Sequence, residues 1–145
     1  CQHLESLGYE VTYLDVDDYG LVRAEDVANA LRDDTTLVSV MTGNNEIGTI
    51  EPIAEIGAFL RTKGIAFHTD AVQAVGQIPL SMSRIPVDYL SASAHKFHGP
   101  KGVGFLFVAA RSGGSVPERR ILRELSGWRK RYRLRRMRCR IQETG

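Results

Sequence analysis

The sequence predicts an α/β fold with a mostly parallel sheet covered by helices. Strand patterns alternate with helical patterns through residues 1–108, helix-length segments separate most of the strands, and polar clusters follow the strand ends. Parallel strands require such long connections, and the helices that supply them cover the faces of the sheet.

The composition is that of an ordinary globular domain. The chain has 145 residues, of which 43% are hydrophobic and 25% charged, and these values exclude a fibrous or wholly disordered protein. No apolar run is long enough to cross a membrane, and the N-terminus lacks the pattern of a secretory signal. Two cysteines, Cys1 and Cys139, cannot make a disulfide scaffold, so we expect a cytoplasmic location.

Local patterns predict the first four elements. Residues 1–7 end a helix that Gly8 stops, and residues 9–14 form a strand because they are β-branched and aromatic. Residues 23–31 place apolar side chains on one face of a short helix, and residues 36–41 form a buried strand.

A longer helix is predicted to begin at Pro52, where the missing N–H costs nothing, and to end at Gly64. Its inner face carries Ile53, Ile56, Phe59 and Leu60. Further strands follow at residues 65–68, 87–92 and 103–108, with a short helix or turn at residues 71–75.

Polar side chains follow three of the predicted strands. They are Asn44 and Asn45 after the first, Asp70 after the second, and the run Ser93, Ala94, His95 and Lys96 after the third. Ligands of parallel sheets bind at the carboxyl ends of the strands, so we expect these side chains to converge on one site.

Each of these residues also has a purely structural interpretation. Lys96 leaves a buried strand, where partial desolvation favours a neutral, nucleophilic amine, although a lone lysine is usually solvated surface. Asp70 could cap the next helix or keep a pyridinium nitrogen protonated. Asn44 and Asn45 could form a plain turn or donate hydrogen bonds to a ligand. His68 is expected to face a helix layer and to have no chemical role.

Three motifs together resemble the cysteine desulfurase family, the NifS/IscS-like group of class V aminotransferases with the fold-type I pyridoxal-phosphate architecture. They are NNEIG at residues 44–48, HTDAVQ at residues 68–73 and SAHKFHGPKG at residues 93–102. They occur in the family's order and at matching separations, and the resemblance covers residues 1–108, a fragment of the family's large cofactor-binding domain.

The resemblance implies a pyridoxal-phosphate site. Lys96 would hold the cofactor covalently and act as the catalytic residue, and Asp70 would pair with the pyridine nitrogen. Gln73 would hydrogen-bond the phenolic oxygen, and Asn45 would lie near that oxygen and the substrate carboxylate. The remaining pair, Ser93 and His95, would contact the phosphate. No metal site is expected.

The implied reaction converts L-cysteine to alanine and passes the sulfur, as an enzyme-bound persulfide, to an acceptor protein for iron–sulfur cluster assembly or other sulfur delivery. The complete family member would be a homodimer. The family's phosphate loop, stacking histidine, persulfide cysteine and substrate-binding arginine fall outside the resemblance, and neither Cys1 nor Cys139 corresponds to that cysteine. Because the first residue is also not Met, we expect a truncated and catalytically incomplete chain.

Residues 109–145 differ in charge from the rest of the chain. Residues 1–108 hold seven Lys and Arg against fourteen Asp and Glu, whereas the tail holds twelve against three. The tail could be a solvated, disordered appendage, a nucleic-acid-binding stripe, or an out-of-frame translation. The last is favoured because codons exist for residues 121–130 whose −1 frame reads IAGIVGLAKA, which resembles the family's sequence after this strand.

Three alternatives to a cysteine desulfurase stay open. Two belong to the enzyme class, a selenocysteine lyase and another class V aminotransferase. From a different class, the alternative is a non-catalytic protein whose basic tail binds nucleic acid, although we expect nucleic acid not to be a partner.

Overall fold

A computed structural model describes residues 1–109, which form one four-stranded sheet with helices. The strands are β1 (Leu37–Met41), β2 (Ala66–Asp70), β3 (Tyr89–Ser93) and β4 (Gly104–Val108), and they lie side by side in chain order. The first three are parallel, and β4 runs antiparallel to β3. The predicted mostly parallel α/β sheet is therefore confirmed.

Three α-helices accompany the sheet: α1 (Gln2–Ser6), α2 (Ala24–Ala30) and α3 (Ile53–Lys63). As predicted, α3 follows Pro52 directly and stops at Gly64, whose left-handed φ of 72° a residue with a side chain rarely adopts. None of the helices within residues 1–109 is long and apolar enough to cross a bilayer.

The core lies between α3 and one face of the sheet. Ile56 and Leu60 of α3 are fully buried, and Phe67 of β2 is 1% exposed beneath them. Side chains alternate between the faces of a strand, so Phe67 and Thr69 face α3 whereas His68 and Asp70 face the other way. The core therefore leaves the polar side chains of β2 on the face opposite α3.

Buried polar groups in the core are hydrogen-bonded. The Thr42 and Thr69 hydroxyls, both fully buried, lie 2.8 Å apart. The Glu51 carboxylate accepts the Val22 N–H at 2.9 Å and joins the segment before α2 to the β1–α3 connection. Burial raises the pKa of Glu51, with a smaller contribution of the same sign from the Asp17 carboxylate, while the Val22 N–H opposes them.

One predicted element is wrong. Residues 9–14 form no strand, because β-propensity produces a strand only where a neighbour supplies a ladder, and no described strand lies beside this segment. The segment runs along the surface, where Tyr9 and Tyr13 are 44% and 39% exposed. The other predicted strands occur within two residues of their expected bounds, and residues 71–75 form a turn.

Candidate functional site

The candidate site lies at the edge of the sheet where β1, β2 and β3 end. In the register of the parallel ladders, Met41 at the end of β1 is opposite Asp70, and Asp70 is opposite Ser91 of β3. The ends of β2 and β3 and the connections that follow the three strands carry all of the site residues expected from the sequence. The predicted convergence of the strand ends is thus present in the fold.

Asp70 is the last residue of β2 and is partly buried. Its Oδ1 accepts the Val72 N–H at 2.9 Å, and its main-chain oxygen accepts the Thr42 N–H at 2.8 Å. The Asp70 carboxylate thus caps a turn, where the sequence had suggested a cap of the next helix. The cap occupies only one carboxylate oxygen, and Oδ2 accepts no hydrogen bond from residues 1–109, so the carboxylate is held in place with one oxygen available for a ligand.

Gln73 lies in the turn that follows Asp70 and is partly buried. The Ala74 and Val75 N–H groups both donate to the Ala71 carbonyl at 3.0 Å, which folds this turn tightly after β2. Gln73 is thereby held within a single helical turn of Asp70.

A 3₁₀ helix (Ala94–Lys96) directly follows β3 and carries the third group of site residues. Lys96 is partly buried, whereas His95 is exposed. The Ser93 hydroxyl and His95 Nδ1 lie 2.8 Å apart, so these two residues already form a hydrogen-bonded pair. The hydroxyl and the imidazole therefore lie next to each other at the end of β3, directly before Lys96 in the chain.

The connections after β2 and β3 are joined directly. The Gln77 Nε2 donates a hydrogen bond to the Lys96 carbonyl at 3.1 Å. The sequence analysis did not single out Gln77, because a contact between two loops leaves no periodic signal. This hydrogen bond fixes the backbone of Lys96 relative to the turn that begins at Asp70.

The loop after Lys96 folds back onto the start of the 3₁₀ helix. The Gly99 N–H donates to the Ala94 carbonyl at 2.8 Å, and the Phe97 N–H donates to the same oxygen at 3.0 Å. His98 between them has a φ of 65°, a left-handed conformation that is uncommon for a residue with a side chain.

Asn45 stands apart from the other site residues. It is exposed on a turn that the Asn44 N–H closes by donating to the Thr49 carbonyl at 2.9 Å. The Asn44 side chain accepts the Glu46 N–H at 2.8 Å and therefore serves the turn itself. Within residues 1–109, Asn45 makes no hydrogen bond to Asp70 or Lys96.

His68 is a polar residue near the site whose part the sequence analysis missed. Its Nδ1 lies 2.7 Å from the Ser39 hydroxyl of β1, and its Nε2 lies 3.3 Å from the Ser91 hydroxyl of β3. The ring lies on the sheet face opposite α3, so it meets two serines where a helix layer was expected. Burial lowers the pKa of His68, and the nearby Asp70 carboxylate partly offsets that effect. The sequence signal that could have indicated these contacts is the alternation of small polar residues on the neighbouring strands.

The part of the chain that the structure describes contains one of the two cysteines. Cys1 precedes α1, and Cys139 lies outside the described residues, as does nearly all of the basic tail. No group of three or more His, Cys, Asp or Glu side chains within residues 1–109 is arranged to hold a metal ion.

The mostly parallel sheet, with a carboxylate at the end of β2 and a lysine after β3, fits the fold-type I, aminotransferase-like class that the sequence motifs resemble. The aminotransferase class-V family model matches residues 1–122, and the chain belongs to this family. Curated relatives include the cysteine desulfurases IscS of Clostridium botulinum, 58% identical over 107 residues, and of Methanosarcina thermophila, 54% identical over 108 residues. Each match covers 74% of this chain and 27% of the relative, so the chain spans about a quarter of the relatives' length.

Solved structures agree with this assignment. SspA in complex with cysteine is 42% identical with a TM-score of 0.72, and the match covers 74% of this chain and 31% of SspA. A NifS-like protein is 43% identical with a TM-score of 0.71, and the match covers 79% of this chain and 32% of that protein. The family and the fold expected from the sequence motifs are therefore confirmed.

Proposed function

We propose that the chain is the pyridoxal-phosphate-binding part of a cysteine desulfurase. The observation that carries the proposal is the edge of the sheet, where Asp70 ends β2, Lys96 follows β3, and the Gln77 side chain links the two connections. The curated relatives are named cysteine desulfurases at 54% and 58% identity over this span. Activity, substrate and partners of the whole protein are inferred from this likeness.

The donor set of the site fits pyridoxal phosphate. Lys96 supplies a primary amine for covalent attachment, and the open oxygen of Asp70 supplies an anionic acceptor for a protonated ring nitrogen. Ser93 and His95, already hydrogen-bonded to each other, offer a hydroxyl and an imidazole to a phosphate. Gln73 would hydrogen-bond the phenolic oxygen, and the exposed turn of Asn45 would contribute from the β1 side.

When bound, the cofactor supplies an electron sink that weakens the bonds to the substrate's α-carbon. The chain's own part is to keep the ring nitrogen protonated through the Asp70 carboxylate and to move a proton with the Lys96 amine once substrate has displaced it. Because Asp70 is anchored by the Val72 N–H, its charge is placed before the cofactor arrives, which avoids reorganisation during the reaction.

We further propose L-cysteine as the substrate, since SspA, 42% identical, is solved in complex with cysteine. A sulfur-acceptor protein as partner, a homodimeric complete protein and a cytoplasmic location follow from the same family resemblance. We propose that the basic tail (residues 109–145) is a unit separate from the cofactor-binding part (residues 1–108).

Cofactor capture by the 145-residue chain tests the proposal directly. Pyridoxal phosphate bound to a lysine absorbs near the edge of the visible range, and Lys96→Ala should abolish that band. Lys101→Ala is the matched control, because Lys101 lies exposed in the loop five residues further along. Equal bands in the two variants would contradict the assignment of Lys96.

A chimera tests the activity. Residues 1–107 of this chain would replace the matched 107-residue span of the Clostridium botulinum relative. We expect the chimera to release alanine from cysteine, and Lys96→Ala in the chimera to stop it. A folded chimera that binds pyridoxal phosphate but leaves cysteine unchanged would contradict a desulfurase function while preserving the cofactor site.

A further inference from the structure

A hydrogen-bonded row crosses the sheet just below the candidate site. It consists of Ser39 on β1, His68 on β2 and Ser91 on β3, with the imidazole between the two hydroxyls at 2.7 Å and 3.3 Å. In the register of the ladder Ser39 is directly opposite His68. One side chain thus ties together the three parallel strands whose ends carry the proposed cofactor contacts.

The row crosses β2 at His68, two residues before Asp70. His68 and Asp70 are two residues apart on the same strand, so their side chains point to the same face. Ser91, which closes the row on β3, is also the ladder partner of Asp70, and its carbonyl accepts the Ala71 N–H at 2.9 Å. A shift of the imidazole would therefore move the backbone on both sides of the Asp70 carboxylate.

The charge state of the imidazole matters to Asp70. The titratable groups that share its face in the described strands are Asp70 on β2 and Tyr89 on β3, while β1 contributes none. Partial burial disfavours a charged ring, and the Asp70 carboxylate is the charge that opposes this effect. An imidazolium here would compete with a pyridinium nitrogen for the same carboxylate.

We propose that His68 is a positioning residue for Asp70. As a neutral imidazole clamped between Ser39 and Ser91, His68 holds the strand ends in register and leaves the Asp70 charge to the cofactor's ring nitrogen. The inference rests on the proposed pyridoxal-phosphate function and adds to it a residue that does not touch the cofactor. It predicts that protonation of His68 and binding of the cofactor oppose each other.

The first measurement needs no cofactor. In the 145-residue chain labelled at histidine, NMR titration should show His68, identified by its loss in His68→Gln, with a pKa below the ordinary value. Asp70→Asn should lower it further, because the carboxylate favours the charged ring. Asp33→Asn, an exposed change beyond the opposite end of β1, is the control that should leave it unchanged. An ordinary pKa, or no response to Asp70→Asn, overturns the inference.

The second measurement is the affinity for pyridoxal phosphate, followed by visible absorbance between about pH 5.5 and pH 8. On acidification, the wild-type chain should lose affinity for pyridoxal phosphate more steeply than the His68→Asn and His68→Gln variants. The difference between the slopes should be at most about tenfold per pH unit, which is the limit for one competing proton. His3→Gln, exposed on α1, should keep the wild-type slope. If His68 were merely structural, its substitution would lower the affinity for pyridoxal phosphate equally at every pH.

The two measurements separate the inference from the function on which it rests. Parallel slopes in a chain that binds the cofactor through Lys96 contradict the role of His68 alone. A wild-type chain that binds no pyridoxal phosphate, yet shows His68 coupled to Asp70, contradicts the proposed function instead.

Discussion

Gly99→Ala is expected to destabilise the segment that carries Lys96. A Cβ added at Gly99 would stand 2.7 Å from the Ala94 Cβ and 3.1 Å from the Ala94 carbonyl oxygen, and both belong to the 3₁₀ helix that ends at Lys96. Relieving such overpacking typically costs about 1–3 kcal/mol. Alanine also has less conformational entropy than glycine in the unfolded chain, which offsets about 0.4–1 kcal/mol of this cost. At the middle of these two ranges the net loss in the free energy of unfolding is about 1.3 kcal/mol.

Urea unfolding of the 145-residue chain measures this loss, and the visible absorbance of lysine-bound pyridoxal phosphate measures its effect on the site. Gly43→Ala is the matched control, since its Cβ would lie 3.5 Å from the Thr49 carbonyl, an ordinary contact, and neither glycine has a positive φ. We expect the control to keep both signals. A Gly99→Ala chain as stable as the wild type would refute the steric reasoning, as would an equal loss in Gly43→Ala.

The clash can also be relieved from the other side. Ala94→Gly removes the nearer of the two clashing atoms, so the double variant should be about 1 kcal/mol more stable than the sum of the single changes predicts. Additive losses would place the strain outside the Ala94 contact.

Three further predictions concern other polar groups. Asp70→Asn should lower desulfuration by the chimera by about 100-fold or more without unfolding it, because asparagine can still accept the Val72 N–H; an unimpaired variant would leave Asp70 a cap only. Glu51→Gln should raise the free energy of unfolding at pH 7 and lose that advantage near pH 4. The reason is that the pKa of Glu51 is raised in the folded state, so the wild-type protein loses stability as the pH rises through that pKa. Glu46→Gln, at an exposed position, is the control in the same pH-dependent denaturation. Thr69→Val should cost about 1–3 kcal/mol by stranding the buried Thr42 hydroxyl, whereas thermal unfolding of the double Thr42→Val, Thr69→Val variant should show a smaller loss.

Elements with local signals were predictable from the sequence. Pro52 and Gly64 mark the two ends of α3 because each acts through its own backbone, and the fold keeps both positions. The convergence of Asp70 and Lys96 was equally predictable, since parallel strands must end at one edge. The inner face of α3 was also predictable, because Ile53, Ile56 and Leu60 lie in the core and Phe59 packs against it; the buried Gly57 was not expected.

Features that depend on partners were not predictable. The apolar pattern of residues 9–14 indicates a strand, yet no described strand supplies its ladder. The hydrogen bond from Gln77 to the Lys96 carbonyl and the bridge from His68 to its two serines join residues far apart in the chain. Such contacts depend on the register between strands and on loop packing, and the composition of either segment alone does not determine these.

The strands of the sheet lie in the order in which a ribosome makes them, so a nascent chain can add each strand to the edge left by the one before. β2 then gains its second neighbour only when β3 emerges, and the turn of Lys96 is held on both sides only after β4 has closed the hairpin. The carboxylate is thus in place well before the amine is fixed. If the proposed cofactor binds here, vectorial synthesis delays its capture to the end of this segment. A pause in translation before residue 104 would leave an open edge at β3 with half of the proposed site.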